Sequence, residues 1–308
     1  MGSITISIEV ELAWGHHDTG NYGNLSDDRI RETKALQKLL DVCKDCDISI
    51  TFAVVGHLLL DSCNGVHKGT YPSSWFQSDP GTNITDSPHF YAPDLVELIE
   101  QTDVNHEICT HTFSHTPYNE LGQETVKEDI ERALKIHERW FTTKPSSLIP
   151  PRNSVPPLKL LNYLNISTVR VPNKAPADSK KGKYSNRIED WTRYRGHPVS
   201  QPEVSHNVVK AYSTRYPSLT AVHLPNGQRQ PPPIFQAMPV QWRQMVHYKY
   251  LQEGVKKALD QNANAHYWTH LQNLSNSYQL ETIEEFLQWV SEVKDNRNLD
   301  IKRLKDLQ

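Results

Sequence analysis

Along the first twelve residues, Ile4, Ile6, Ile8, Val10 and Leu12 alternate with Thr5, Ser7, Glu9 and Glu11. That period of two predicts a strand with one apolar face. Two carboxylates on its other face carry a desolvation cost unless a cation or metal pairs with them. Gly15 to Asn24 reads as a polar loop. Ser26 is placed to cap a helix running to about Cys43, with Asp27 and Asp28 in its first turn. The β-branched run from Ile48 to Val55 predicts a buried strand. Residues 61–91, with Pro72, Pro80, Gly81 and Pro88, form a long loop, and loops of that length are usually functional or disordered. Pro93 opens a helix through Gln101. A strand then ends at His111. Val126, Ile130, Ala133, Leu134, His137 and Trp140 line one face of a helix from Gln123 to Phe141. Ser147–Ile149 is a strand, Pro156–Leu164 a helix and Ser167–Val171 a strand.

From Pro172 to Pro239 the periodicity is lost among Pro, Lys, Arg and Tyr, with short strands expected near Asn207–Tyr212 and Thr220–Leu224. A helix from about Arg243 to Asn262 restores it. A strand over Ala263–Leu271 follows, with His266, Trp268 and His270 on one face. A helix over Leu280–Val293 and a short strand at Asn298–Ile301 close the chain. Alternating strands and helices imply an α/β protein with a parallel sheet. The irregular segment, about 172–240, has too little apolar content for its own core. One domain over 1–308 is expected, with that segment as a loop-rich insertion over the mouth of the sheet.

Composition narrows the function classes. Hydrophobic residues make up 37% and charged residues 22% of the 308, which suits a soluble globular protein. A net charge of −3 gives no electrostatic case for nucleic acid or anionic lipid. No apolar run approaches the roughly 18–20 residues of a membrane span. Met1-Gly2-Ser3 runs straight into the first strand, so a cytoplasmic protein with reduced cysteines is expected. Cys43-Lys44-Asp45-Cys46 lacks the second pair that a zinc ribbon requires.

The chemistry gathers where strands end. His111 and His115 stand four apart at a strand's C-terminal end, and in one helical turn or a tight loop such a pair can reach one metal. Glu9 and Glu11, Pro150-Pro151-Arg152-Asn153, and His266 with His270 occupy other strand ends, which converge in a parallel barrel. One carboxylate and two histidines leave an open position for water. The spare carboxylate can serve as a base, a late histidine as an acid, and Arg152 as the cation that holds the base. Trp14, Trp75, Trp191 and Trp268 are candidates for a sugar-stacking platform, or for core.

In this setting Ser7-Ile8-Glu9-Val10-Glu11-Leu12-Ala13-Trp14-Gly15 resembles the acidic first motif of the polysaccharide deacetylase family, in a Glu-Leu-Ala-Trp-Gly variant. His111-Thr112-Phe113-Ser114-His115 is similar to that family's metal motif, Pro150-Pro151-Arg152-Asn153 to its arginine motif, and His266 to Leu274 to its closing histidine motif. Asp190-Trp191 loosely matches its tryptophan motif. The resemblance implies a deformed (β/α)7 barrel and a divalent metal, zinc first. It also implies hydrolysis of an N-acetyl or related acyl group on a sugar or glycan precursor. Carried over residue by residue, it puts Glu11, His111 and His115 on the metal. Glu9, His270, Arg152 and His266 become catalytic, and Trp14, Tyr118, Asn153, Trp268 and Asn273 become substrate contacts. The sequence leaves open the reverse roles for Glu9 and Glu11. Position 9 is Glu where the family generally has Asp. That feature keeps a glycan-binding pseudoenzyme in view, beside an amidase on a non-sugar C–N bond. A non-haem iron oxygenase would use a similar donor set, but the strand–helix alternation argues against it.

Overall fold

In the computed structural model, residues 1–173 and 196–307 are described. The opening alternation forms β1, Ser3–Val10. Its even positions Ile4, Ile6 and Ile8 pack against helix residues such as Leu36, Leu251, Val255 and Phe286. Its odd positions look across the inside of a curled sheet. Parallel pairing aligns Thr5, Ser7 and Glu9 with His266, Trp268 and His270 of β8, Asn264–His270. On the other edge, Ser7 and Glu9 align with Thr51 and Ala53 of β2, Thr51–Val54. Those two align in turn with Glu107 and Cys109 of β3, Glu107–Thr110.

Beyond β3 come β4 (Ser147–Leu148), β5 (Thr168–Pro172) and β7 (Val208–Ser213). The order is β7-β5-β4-β3-β2-β1-β8 in parallel, the seven strands of the expected deformed (β/α)7 barrel, curled here into a half-barrel. β6, Glu203–Ser205, adds an antiparallel edge to β7, and β9, Asp300–Ile301, pairs with the start of β1. Helices α1 (Ile30–Asp45), α2 (Pro93–Glu100), α3 (Tyr118–Phe141), α4 (Leu158–Tyr163), α5 (Val240–Asp260) and α6 (Ser277–Arg297) supply the outer layer.

Local departures from the sequence reading have identifiable causes. Ser26 does act at the entry to α1, its Oγ accepting from Arg31 N at 3.0 Å. An extra turn, with left-handed Asp28 and Arg29, separates it from the helix proper. α3 begins earlier than the apolar period indicates and breaks at Gly122, where φ is +79°. Thr220–Leu224 is not a strand: Ala221 and Leu224 are buried, but its backbone runs as a turn beside β8. Asn207–Tyr212, read as part of an insertion, supplies β7, a full member of the sheet. The chain after β7 bonds to β8, with Trp268 Nε1 donating to Thr214 O at 2.8 Å and Ser218 N donating to Trp268 O. At the opposite end of the strands, Leu304 and Leu307 close on Ala53, Cys109, Ile149, Val209 and Ala211. No helix among the described residues is long and apolar enough to cross a membrane.

Candidate active site

Glu9 is the last inward position of β1, level with His270 on β8. After Val10 the backbone turns through Leu12, at φ +44°, into a 3-10 helix over Leu12–His16. That turn brings Glu11 back over Gly15. A Cβ at Gly15 would lie 2.3 Å from the Glu11 carboxylate, so only glycine leaves room for it. Gln272 Nε2 holds the same carboxylate at 3.0 Å.

His111 leaves β3 with Nδ1 2.7 Å from the Ile149 carbonyl. A carbonyl only accepts, so Nδ1 carries a proton there, and Nε2 is the ring atom turned toward the carboxylates. That Nε2 is buried with no hydrogen-bond partner. It lies 3.6 Å from both Glu9 Oε2 and Glu11 Oε2. His115 Nε2 is 3.1 Å from Glu11 Oε2. The loop between the histidines is not helical: Thr112 and His115 have φ of +64° and +59°. Asp129 of α3 shapes it, accepting from Phe113 N, Ser114 N, Ser114 Oγ and Thr116 Oγ1 at 2.6–3.2 Å. Nothing in the sequence reading singled out Asp129. The mark available was an acid at a core-facing position of an amphipathic helix, beside Val126, Ile130 and Ala133.

His270 closes the ring of groups. Its Nε2 is 3.4 Å from Glu9 Oε2 and 3.6 Å from Glu11 Oε1, with a quarter of its side chain open to solvent. Five side chains from three strand ends therefore converge. The buried donors of Glu11, His111 and His115 lie within 4.8 Å of one another. One carboxylate, two imidazoles and a nitrogen without a hydrogen-bond partner form a donor set suited to a divalent cation such as zinc. Burial pushes both carboxyl groups up, but neighbouring charges win. Arg170, His270 and His111 hold Glu9 below its ordinary range, and His270, His111 and His115 hold Glu11 well below it. Burial lowers the pKa of His115 against the pull of Glu11.

Several sequence assignments change here. The cation on Glu9 is Arg170, not Arg152. Arg170 is fully buried on β5, ion-paired to Glu9 Oε1, with its guanidinium 4.2 Å above the Trp268 ring. Arg152 lies beyond β4 on a left-handed turn at the rim. It pairs there with Asp18 at 2.5 Å and Glu120 at 2.9 Å. The difference is one of position: an inward residue on a strand reaches the barrel axis, and a residue past the strand end does not. Arg170 could have been found as a cation alternating with apolar neighbours in Thr168-Val169-Arg170-Val171.

His266 lies four residues below His270, roughly 13 Å along an extended strand. Its Nε2 meets Ser7 Oγ at 2.8 Å, and burial, with Arg170 and His197, holds its pKa well below the usual value. It packs the barrel below the site. Trp14 is fully buried and donates to Phe90 O. Trp268 lies beneath Arg170, and Trp75 donates to Ser114 Oγ. None of these three is an open stacking platform, and Asp190-Trp191 lies outside the described residues. Asn153 accepts from Arg170 at 3.3 Å and donates to Arg215 O. Tyr118 starts α3 at the mouth, partly buried. Asn273 donates to Thr269 Oγ1 and lies 3.5 Å from His270 Nδ1.

A half-barrel with two carboxylates and three histidines at its C-terminal mouth gathers donors of the kinds a divalent cation takes. The family model described as polysaccharide deacetylase matches residues 21–167. That is the family the motifs resemble, a class of hydrolases acting on carbon–nitrogen bonds other than peptide bonds. Among solved structures the chain is similar to a putative polysaccharide deacetylase from Mycobacterium smegmatis. The TM-score is 0.60 at 11% identity, covering 98% of this chain and 87% of that one. A probable polysaccharide deacetylase from Pseudomonas aeruginosa PAO1 gives 0.59 at 10% identity, covering 99% and 89%. The PuuE allantoinase gives 0.59 at 10% identity, covering 99% and 88%. At these identities the likeness is one of fold. No curated protein sequence matches the chain.

Proposed function

We propose that this chain is a divalent-metal-dependent deacetylase that removes an N-acetyl or related acyl group from a sugar or glycan precursor. The whole of 1–308 would act as one catalytic domain, since β1 pairs with both β8 and β9 near the chain's end. The observation that carries the reading is the unpartnered, buried His111 Nε2 aimed between two carboxylates. Glu11, His111 and His115 would hold the ion, with zinc the natural choice for this donor set. A divalent ion there would lower the pKa of a coordinated water and polarise the amide carbonyl.

The other groups divide the proton transfers. Glu9, kept anionic by Arg170, accepts the proton of the attacking water. The Arg170–Glu9 pair favours that division of labour over its reverse, because a carboxylate committed to a guanidinium has less charge to give a cation. His270, partly open at the mouth, gives a proton to the departing amine. Asn153, Tyr118 and Asn273 stand nearby to meet substrate. Glu9→Gln should cut amine and acetate release by at least about a hundredfold while metal content, read by mass spectrometry, stays at the wild-type value. Full turnover in that variant would take Glu9 out of the base role.

A second reading, hydrolysis of a non-sugar amide, is favoured by the burial of Trp14, Trp75 and Trp268, which takes those three rings out of a sugar-stacking role. A release assay on nucleotide-linked N-acetyl sugars, chitooligosaccharides and small cyclic ureides separates the two. The four free cysteines suit a reducing compartment, and with it a precursor substrate inside the cell.

A further inference from the structure

The long loop of residues 61–91 folds around a second cluster of donors, none of which belongs to the group at the barrel mouth. His57 follows β2, while Cys63, His67 and Asp79 come from the loop. Their donor atoms lie within 4.8 Å of one another. His57 Nε2 is 3.3 Å from His67 Nε2 and 3.3 Å from Asp79 Oδ2. Cys63 Sγ is 3.6 Å from each imidazole nitrogen and 3.3 Å from Asp79 Oδ2. Around a tetrahedral zinc with bonds of about 2.0–2.3 Å, ligand atoms stand about 3.3–3.6 Å apart. Five of the six edges already have that length. The sixth, His67 to Asp79 at 2.6 Å, is a direct contact that would open by about 0.7 Å.

The surroundings are those of ligands held in place for an ion. His57 Nδ1 faces the Phe90 carbonyl at 3.2 Å, which fixes the proton there and frees Nε2. Gly65 N donates to Cys63 Sγ at 3.3 Å, and Gly81 N donates to Asp79 Oδ1 at 3.1 Å. The Tyr91 hydroxyl reaches both the sulfur and the carboxylate at 3.1 Å. Gly65 and Gly81, both at positive φ, bring the two ligand turns together; a Cβ on Gly81 would meet the Asn64 backbone at 3.0 Å. His57 and the Asp79 side chain are fully buried, and His67 is nearly so. Two imidazole nitrogens and a thiol turned toward one buried carboxylate are more donors than hydrogen bonding to it requires.

We propose that His57, Cys63, His67 and Asp79 form a closed structural zinc site that fastens the 61–91 loop to the barrel. All four positions are filled by protein, so the site holds an ion without an open place for water or substrate. It abuts the active-site elements: the His57 ring is 4.3 Å from Trp14, in the 3-10 helix that follows Glu11, and 5.4 Å from Phe113, in the loop between His111 and His115. The ion would thereby brace the two segments that carry the proposed catalytic ligands.

The full-length protein reconstituted with Co2+ tests this apart from catalysis, because no thiol is among the donors clustered at the barrel mouth. A thiolate-to-cobalt charge-transfer band is expected in the wild type and in His111→Ala, and its loss is expected in Cys63→Ser. His67→Ala should lower zinc content by about one equivalent per chain. Absence of the band in the wild type, its persistence in Cys63→Ser, or unchanged zinc in His67→Ala overturns the site. Should the variants fail to fold, wild-type protein suffices. Zinc should shield Cys63 from iodoacetamide in a peptide-mapped assay and a chelator should expose it; equal labelling with and without chelator rejects the proposal.

Discussion

Arg170 shows how much one buried side chain decides at the residue scale. Its charge is what keeps Glu9 ionised against the burial that would protonate it. Arg170→Met leaves that carboxylate buried without its cation, so the Glu9 pKa rises. A base is active only when deprotonated, and the acid limb of the kcat/KM profile should therefore move to higher pH as the rate falls. A limb that stays in place in a folded Arg170→Met protein would remove Arg170 from this role. The residues at the centre of the cluster were legible in the sequence. Glu9 and Glu11 were conspicuous as acids on the opening strand, and His111 and His115 by their spacing. The supporting residues were not: Arg170, Asp129 and Gln272 act through contacts with segments thirteen or more residues away. No local pattern marks such partners.

At the scale of the element, α3 carries both a functional and a thermodynamic load. Asp129 shapes the histidine loop from one turn, while His137, two turns on, is buried with neither ring nitrogen hydrogen-bonded. Burial lowers the His137 pKa to about 4. The unfolded imidazole takes up its proton near 6.5, the folded one only near 4. Between those values the unfolded state binds more protons, so stability is complete above about pH 6.5 and declines as pH falls toward 4. The decline from this group is on the order of 3 kcal/mol. His137→Leu should remove that share in urea titrations at pH 7 and pH 4.5. Burial likewise depresses His17 and His106 to about 4, so a residual slope remains. An unchanged slope in the variant would show that His137 is protonated in the folded chain. Elements with a strong period, such as β1, α3 and α5, were readable. The 61–91 loop was readable only as long. Its donors are separated by gaps of six, four and twelve residues in sequence, and the bridge between Ser62 and Asn83, with Gly65 packed against Gly81, brings them to one point.

Across the whole molecule, the half-barrel is finished at its lower end by the last residues described. Leu304 N donates to Thr51 Oγ1, Lys305 N to Glu107 Oε2, and the Leu304 side chain is fully buried among inward positions of the strands. Leu304→Ala should cost about 2–5 kcal/mol, seen as a lower urea midpoint with an unaltered slope. A shift under roughly 0.5 kcal/mol would mean that the plug is not part of the cooperative unit. By itself the sequence determined the strand–helix alternation, the parallel sheet and a candidate set of two acids and four histidines at strand ends, because period and spacing are local properties. The tertiary structure alone decided which cation meets Glu9, that His266 lies too deep to join His270, that Trp14, Trp75 and Trp268 are core, and that four scattered donors meet beside the barrel. Those outcomes depend on how the strands curl and which loops return across them, and such distances are set by the packing of the entire chain.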